Sequence, residues 1–279
     1  MLLSAINQAL MGIATVENRA GEDIDIQYLL TDSRQLGNDP LHTLFFAIKT
    51  EKNDGAKYIP ELYAKGVRAF VTSNSIEALQ ALAAHCRQQY KGTVIGITGS
   101  NGKTVVKEWL YELLKEDYEI VRSPKSYNSQ IGVPLSVWQL PDKGNSSKPQ
   151  LAIFEAGISQ VGEMEKLERI IRPTIGVITY IGEEHDAGFA SLEEKRQEKM
   201  KLFVNCPVVI EDPTHQNART CAAVMRELGY SEEVIAERIQ KQTHETVLQV
   251  NLPNMVENVR YFRSHLKATT KLTCMVKAF

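Results

Sequence analysis

A short apolar run that passes through a glycine-rich loop directly into a helical pattern constrains the fold of this chain more than any other feature. The run is TVIGIT at 93–98, the loop is TGSNGKT at 98–104, and apolar residues recur on one helical face from 103 to 117. Glycines let backbone N–H groups approach an anion, and a helix N-terminus adds N–H groups and the positive end of its dipole. The pattern therefore predicts a strand–loop–helix unit that binds phosphate.

The loop residues expected at the phosphates are consecutive: Gly99, Ser100, Asn101, Gly102, Lys103 and Thr104. In such loops the lysine contacts the β- and γ-phosphates, and the hydroxyl of the next residue binds Mg²⁺. The common spacing GxxxxGK[ST] is not met, because Ile97 stands where the first glycine is expected. A glycine-rich turn without a ligand is the alternative, and the loop alone names no reaction.

Other apolar runs alternate with helical patterns along the chain. Runs at 67–72, 151–154 and 175–180 predict buried strands, while 76–90 and 160–172 carry apolar residues at helical spacing. Alternating strands and helices are typical of an α/β fold with a largely parallel sheet.

Composition narrows the class of protein. A length of 279 residues corresponds to about two domains, and we expect a boundary near 90–92. The net charge of -2 argues against a nucleic-acid partner. No apolar run reaches the roughly 18 residues of a membrane span, and the first residues lack a cationic leader, so no membrane insertion is expected. Four dispersed cysteines favour thiols in a reducing compartment, and hence a cytoplasmic protein.

The glycine-rich loop is one of six segments that occur in the order found in one enzyme family. The others are TDSRQL (31–36), SYNSQIGVPLS (126–136), FEAG (154–157), the stretch 178–203 and the stretch 212–239. They resemble the Mur ligases, which build the peptide stem of bacterial cell-wall precursors, and 126–136 resembles the type that adds D-alanyl-D-alanine. The resemblance covers roughly residues 1–241.

The resemblance implies a domain arrangement and a reaction. Residues 1–90 would form a small N-terminal α/β domain that binds the uridine-nucleotide substrate, and 91–241 a P-loop ATPase domain with a mostly parallel sheet, shortened after 203. The reaction would be ATP- and Mg²⁺-dependent addition of D-alanyl-D-alanine to a UDP-N-acetylmuramoyl tripeptide through an acyl phosphate. The oligomeric state stays open.

The resemblance also assigns roles to single residues. Ser33 and Arg34 would contact the uridine end of the substrate, Asn128 would lie near its peptide part, and Asn217 near the adenine of ATP. The metal ligands would be Thr104 and Glu155 for one Mg²⁺, and Glu155, His185 and a carbamylated Lys199 for the other. The catalytic residues would be Lys103, His185 and Lys199.

Each of these residues also has a simpler interpretation. Arg34 could be a solvated charge, and Glu155 a carboxylate at a helix N-terminus. A lone histidine such as His185 is often structural. Lys199 lies on a helix opened by the capping box SLEE at 191–194, where it could belong to a solvated basic face.

The sequence departs from the family pattern in three places. Ala56 follows Asp-Gly where a histidine is usual, and Tyr180 stands where asparagine is common. Soon after Phe203, the sequence already resembles the end of the family's ATPase domain, and no C-terminal Mur domain is recognised. A nucleotide-binding fragment without turnover is therefore an alternative to a complete ligase.

The last segment has a second resemblance. The stretch 243–279 is similar to the start of an alanine racemase, so residues 242–279 would be a fragment of such a domain. Lys277 matches the lysine that carries pyridoxal phosphate in that family. A fused ligase and racemase is the implied arrangement. A racemase barrel needs about 200 residues or more, so we expect pyridoxal phosphate only in a complete racemase domain.

Overall fold

The described part of the chain forms two β-sheets, the first before residue 72 and the second after residue 92. The structure is a computed structural model that describes residues 1–141, 148–182 and 188–245. The strands of the first sheet are β1 (Val16–Asn18), β2 (Tyr28–Leu30), β3 (Thr43–Phe46) and β4 (Ala69–Val71). Their order is β1-β4-β3-β2, with only β1 antiparallel to its neighbour.

The second sheet is parallel throughout. Its strands are β5 (Thr93–Thr98), β6 (Glu119–Arg122), β7 (Gln150–Ala156), β8 (Ile175–Ile178) and β9 (Val208–Glu211), in the order β6-β7-β5-β8-β9. The helices are α1 (Leu3–Ala9), α2 (Ile59–Ala64), α3 (Ser75–Gln89), α4 (Lys103–Leu114), α5 (Gly132–Val137), α6 (Glu163–Ile171), α7 (Leu192–Met200), α8 (Asn217–Glu227) and α9 (Glu232–Glu245). Every helix in the described ranges is too short or too polar to cross a bilayer.

Both faces of the second sheet are covered by helices. Leu151 and Ile153 of β7 pack into one buried cluster with residues of α4, α8 and α9. Their neighbours Ala152 and Phe154 point to the opposite face and pack with residues of α5 and α6. Successive side chains of a strand face opposite ways, so a central parallel strand buried on both faces is apolar throughout.

The α/β class and the parallel sheet predicted from the sequence are confirmed. The predicted runs coincide with β4, β5, β7 and β8, and the predicted helical patterns with α3, α4 and α6. The helix expected to continue to 117 ends instead at Leu114, and residues 115–117 form a turn in which the N–H of Asp117 bonds to the carbonyl of Leu114, three residues earlier. The division of the chain near residue 90 stays a prediction.

One buried side chain connects α3, the helix that follows the first sheet, to α6, a helix that packs on the second sheet. Arg87 of α3 donates from Nε to the carbonyl of Ile171 and from Nη2 to that of Arg172, each at 2.7 Å. These carbonyls lie at the end of α6, where a helix leaves its last acceptors without intrahelical partners. Arg87 therefore caps α6 and holds α3 against it.

The last described helix is fastened to the end of α4 by Asp117. Its carboxylate accepts hydrogen bonds from Arg238 of α9 and from Tyr230, and Arg238 also donates to the carbonyl of Leu113. The hydrogen bond from Arg238 is the main reason that the pKa of Asp117 lies below its ordinary value.

We expect Asp117→Asn to lower the free energy of unfolding by about 0.5–1 kcal/mol at neutral pH, a modest value because both partners are partly exposed. A carboxylate with a lowered folded pKa stabilises the fold above its unfolded pKa of about 3.9, and that contribution is lost as the pH falls through the folded value. The difference from wild type in urea unfolding should therefore shrink below about pH 4. Glu116→Gln, at the exposed neighbouring carboxylate, is the control and should have no effect. A difference independent of pH would show that the charge of Asp117 is not its source.

Candidate nucleotide and metal site

The predicted site residues of the second sheet gather at one edge. Thr98, the last residue of β5, is opposite Ala156 of β7 and Ile178 of β8. The glycine-rich loop therefore begins beside Glu155 and beside the segment that follows β8. The carboxyl ends of parallel strands are where α/β proteins bind their ligands.

The loop needs glycine at two positions. Gly99 and Gly102 have φ values of +148° and +86°, and a Cβ on Gly99 would lie 2.0 Å from the Oγ1 of Thr179. The N–H groups of Ser100 and Asn101 donate to the carbonyl of Tyr180, at 2.7 and 3.2 Å. These two amides, which we expected at the phosphate, are engaged by the segment after β8. The start of α4 remains the place where backbone N–H groups are expected to meet phosphate, because the first amides of a helix lack partners within it.

Three lysine ammonium groups surround the loop. Lys103 Nζ donates to the carbonyls of Gly99 and Ser100, at 2.8 and 2.9 Å. Lys199 Nζ donates to the carbonyl of Gly99 at 3.1 Å, and Lys195 Nζ to that of Gly182 at 2.6 Å. Lys195 and Lys199 are only 2% and 3% exposed, so the alternative of a solvated basic face is wrong.

The surroundings of Lys199 favour its neutral amine. Burial, followed by the charges of Lys103 and Lys195, lowers the pKa of Lys199 to about 7. A buried ammonium loses hydration, and neighbouring like charges disfavour it further. Near neutral pH a substantial fraction of this amine is therefore uncharged.

A buried carboxylate faces the start of α4. Glu155 is the penultimate residue of β7 and is fully buried, so it is not the helix-terminal charge of the simpler interpretation. Its Oε2 accepts a hydrogen bond from Thr104 Oγ1 at 3.1 Å and from Asn128 Nδ2 at 3.5 Å. Asn128, expected near the peptide part of a substrate, thus lies beside Glu155.

The other carboxylate oxygen has a different environment. Glu155 Oε1 lies 3.1 Å from the Nζ of Lys107, but the two atoms are not aligned as a hydrogen bond, and Oε1 accepts none within the described residues. A buried carboxylate beside a threonine hydroxyl provides the hard oxygen ligands that Mg²⁺ prefers, so Glu155 and Thr104 fit the predicted ion.

Two predicted functional residues, His185 and Lys277, lie outside the described residues. Within the described ranges, no group of three or more histidine, cysteine, aspartate or glutamate side chains could hold a metal ion.

A cavity of about 240 Å³ opens next to the loop. Asn101 and Gly102 line one side, and Tyr180, His215 and Asn217 line another. The rings of Tyr180 and His215 meet edge to face with centroids 5.0 Å apart. Asn217, the first residue of α8, thus lies close to the glycine-rich loop. Its contact with adenine stays a prediction.

Ser33 and Arg34 lie in a different part of the molecule, in a turn after β2. Arg34 is exposed and donates hydrogen bonds to the Asp32 carboxylate from its guanidinium group and from its backbone N–H. These hydrogen bonds lower the pKa of Asp32 to about 2. Neither residue has a hydrogen bond to the glycine-rich loop in the described part of the chain. The structure therefore brings Lys103, Thr104, Asn128, Glu155, Lys199 and Asn217 together, without Ser33 and Arg34.

Lys107 was not among the residues expected at this site. Its side chain is fully buried and paired with Glu155. The available signal was its spacing, because Lys107 follows Lys103 by four residues and so lies on the same face of α4.

Comparisons with known proteins found a matching family and similar ligases. The family described as Mur ligase middle domain matches residues 97–268, more than half of the chain. The match reaches into the segment 243–279, whose resemblance to a racemase stays a prediction. Ligases named UDP-N-acetylmuramoyl-tripeptide–D-alanyl-D-alanine ligase are similar: that of Borreliella burgdorferi is 35% identical over 64% of this chain and 42% of its own length. That of Bacillus subtilis is 31% identical over 77% and 50%.

Solved structures show the same fold. MurF from Acinetobacter baumannii superposes with a TM-score of 0.72 at 20% identity, covering 89% of this chain and 68% of its own. MurF ligase from Thermotoga maritima in complex with ADP gives 0.57 at 25% identity, over 71% and 50%. The chain spans half or less of the two curated relatives described above. The family match, the glycine-rich loop and the shared fold together show that the chain belongs to the Mur ligase family.

Proposed function

We propose that this chain is the substrate- and ATP-binding part of a ligase of the MurF type, which adds D-alanyl-D-alanine to a UDP-N-acetylmuramoyl tripeptide. The observation that carries the proposal is the glycine-rich loop with Lys103 and Thr104 directly beside the buried Glu155. The names of the relatives supply the substrates, and the chain's similarity to them supports this choice.

The proposed reaction has two steps. The terminal carboxylate of the tripeptide attacks the γ-phosphorus of ATP, the bond to the β–γ bridging oxygen breaks, and ADP leaves. The amine of D-alanyl-D-alanine then attacks the acyl carbon, loses a proton and displaces phosphate. A carboxylate and a triphosphate repel each other, so the first step requires concentrated positive charge.

The residues at the sheet edge provide that charge. The ammonium of Lys103 would move from the loop carbonyls to the phosphate oxygens, and Thr104 and Glu155 would hold Mg²⁺. When bound, Mg²⁺ neutralises phosphate charge and orients the phosphate oxygens.

Other residues contact the remaining parts of the substrates. Asn217 contacts the adenine, while Asn128 fixes Glu155 and lies near the peptide part of the substrate. Ser33 and Arg34 bind the uridine end.

Lys199 is the proposed carbamate. The neutral amine attacks CO₂ and loses a proton, which converts a potential cation into an oxygen-donor anion. The burial of Lys199 beside the loop and its lowered pKa support this step. His185 completes the proposed second magnesium site.

Two alternatives remain distinct from this proposal. A nucleotide-binding module would bind ADP without turnover. An alanine racemase in a fused protein would use pyridoxal phosphate on Lys277 and rests on the sequence of the tail alone. A cytoplasmic site of action belongs to the proposal and is supported by Cys206 and Cys221, which are free thiols.

The reaction is tested by phosphate release from ATP in the protein that contains this chain. We expect release only when UDP-N-acetylmuramoyl tripeptide and D-alanyl-D-alanine are both present, with formation of the pentapeptide product. ADP binding without release under these conditions would favour the binding module. Absorbance of an internal aldimine would indicate the racemase.

We expect Lys103→Ala to weaken ADP and ATP binding at least tenfold, about 1.4 kcal/mol, because a charge-assisted contact to phosphate is lost. Isothermal titration calorimetry with ADP measures this. Lys115→Ala, at an exposed lysine just after the end of the same helix, is the matched control and should bind normally. Equal affinities for wild type and Lys103→Ala would refute the phosphate role.

We expect wild-type protein in ¹³C-labelled bicarbonate to show a carbamate resonance that Lys199→Ala lacks. The buried, partly neutral amine is the form that reacts with CO₂. Lys201→Ala removes a nearby lysine that is ion-paired and more exposed, and should keep the resonance. A resonance that persists in Lys199→Ala would assign the modification to another amine.

A further inference from the structure

We propose that Lys107 is a positioning residue that fixes the Glu155 carboxylate in the orientation that Mg²⁺ requires. The inference rests on the proposed function, in which Thr104 and Glu155 hold the ion. It concerns a residue that none of the predicted roles includes.

The burial of Lys107 calls for partners. Its side chain is 0% exposed, whereas lysine is almost never fully buried without a partner. Lys107 lies one helical turn beyond Lys103 on α4, so the two lysines have parallel positions but different surroundings. Lys103 contacts the loop, while Lys107 points into the protein.

The backbone holds the Lys107 ammonium in place. Nζ donates to the carbonyl of Ser123 at 2.8 Å and to the carbonyl of Lys125. Both carbonyls belong to the chain that follows β6, and the side chain of Ser123 also accepts the N–H of Glu155 at 3.2 Å. Because its two acceptors are main-chain atoms, the position of Nζ is set by the fold rather than by a mobile side chain.

The fixed ammonium in turn constrains the carboxylate. Lys107 Nζ is 3.1 Å from Oε1 of Glu155, while Oε2 accepts from Thr104 at 3.1 Å. Because Oε1 lies beside this buried charge, the carboxylate cannot rotate freely. Oε2 therefore stays directed at Thr104, the other proposed magnesium ligand. Partners of this kind orient metal ligands and commonly change metal affinity by about 10–100-fold.

A purely neutralising role is the alternative, and the choice of ion separates the two. Mg²⁺ and Ca²⁺ carry the same charge, so loss of a nearby cation changes the affinity for both in the same direction and by a similar factor. Mg²⁺ demands near-ideal geometry at short distances, whereas Ca²⁺ tolerates longer and irregular contacts. Loss of ligand position therefore lowers the ratio of Mg²⁺ to Ca²⁺ affinity.

The experiment titrates Mg²⁺ and Ca²⁺ separately into the chain saturated with ADP, by calorimetry. We expect Lys107→Met to lower the Mg²⁺/Ca²⁺ affinity ratio about tenfold or more. Lys107→Arg keeps the charge but presents a planar fork of different shape, and should lower the ratio as well. If Lys107→Met does not fold, the arginine variant decides.

Glu108→Gln is the control, because this half-exposed carboxylate also lies 3.0 Å from Lys107 Nζ without contacting Glu155. It should keep the wild-type ratio. An unchanged ratio in Lys107→Arg overturns the positioning role while leaving the proposed function intact. A wild-type ADP complex that binds no Mg²⁺ overturns the magnesium site, and the positioning role with it.

Discussion

The candidate site depends on one interaction, the pairing of a fully buried carboxylate with a fully buried ammonium. Glu155 and Lys107 are both withdrawn from water, which is costly for an ion unless a partner of opposite charge and further polar groups surround it. The backbone of the chain after β6 provides those groups. The cost of burial is offset inside the fold, which keeps the Glu155 carboxylate at the end of β7, next to Thr104.

Around this pair, three lysine side chains lie against the glycine-rich loop or the segment after β8. Lys103, Lys195 and Lys199 donate hydrogen bonds to backbone carbonyls there. Burial, followed by repulsion from the charges of Lys103 and Lys195, lowers the pKa of Lys199. In the proposed function, a bound triphosphate would relieve this repulsion, and a carbamate would relieve it by removing one cation. The proposal thus relates nucleotide binding and modification of Lys199 to the same electrostatic condition.

Much of the second sheet could be predicted from local pattern, because its central strands are apolar on both faces and stand out as short runs. The strands β1, β2 and β6 contain exposed or half-buried residues and are only three or four residues long, so no comparable run marks them. The burial of Lys199 could not be predicted either. Its helix has low overall hydrophobicity, and only packing against the loop shows that two of its lysines face inward.

The sequence by itself determined the glycine-rich loop, because glycine at 99 and 102 permits the positive φ values there and the helix begins directly afterwards at Lys103. It also determined the α/β class, which follows from the alternation of apolar strands and amphipathic helices. Only the tertiary structure decided which distant side chains meet at the loop. Glu155, Asn128, Lys199 and Lys107 come together because parallel strands end at one edge and because buried charges must find partners. Neither condition can be read from residues that are tens of positions apart in the chain.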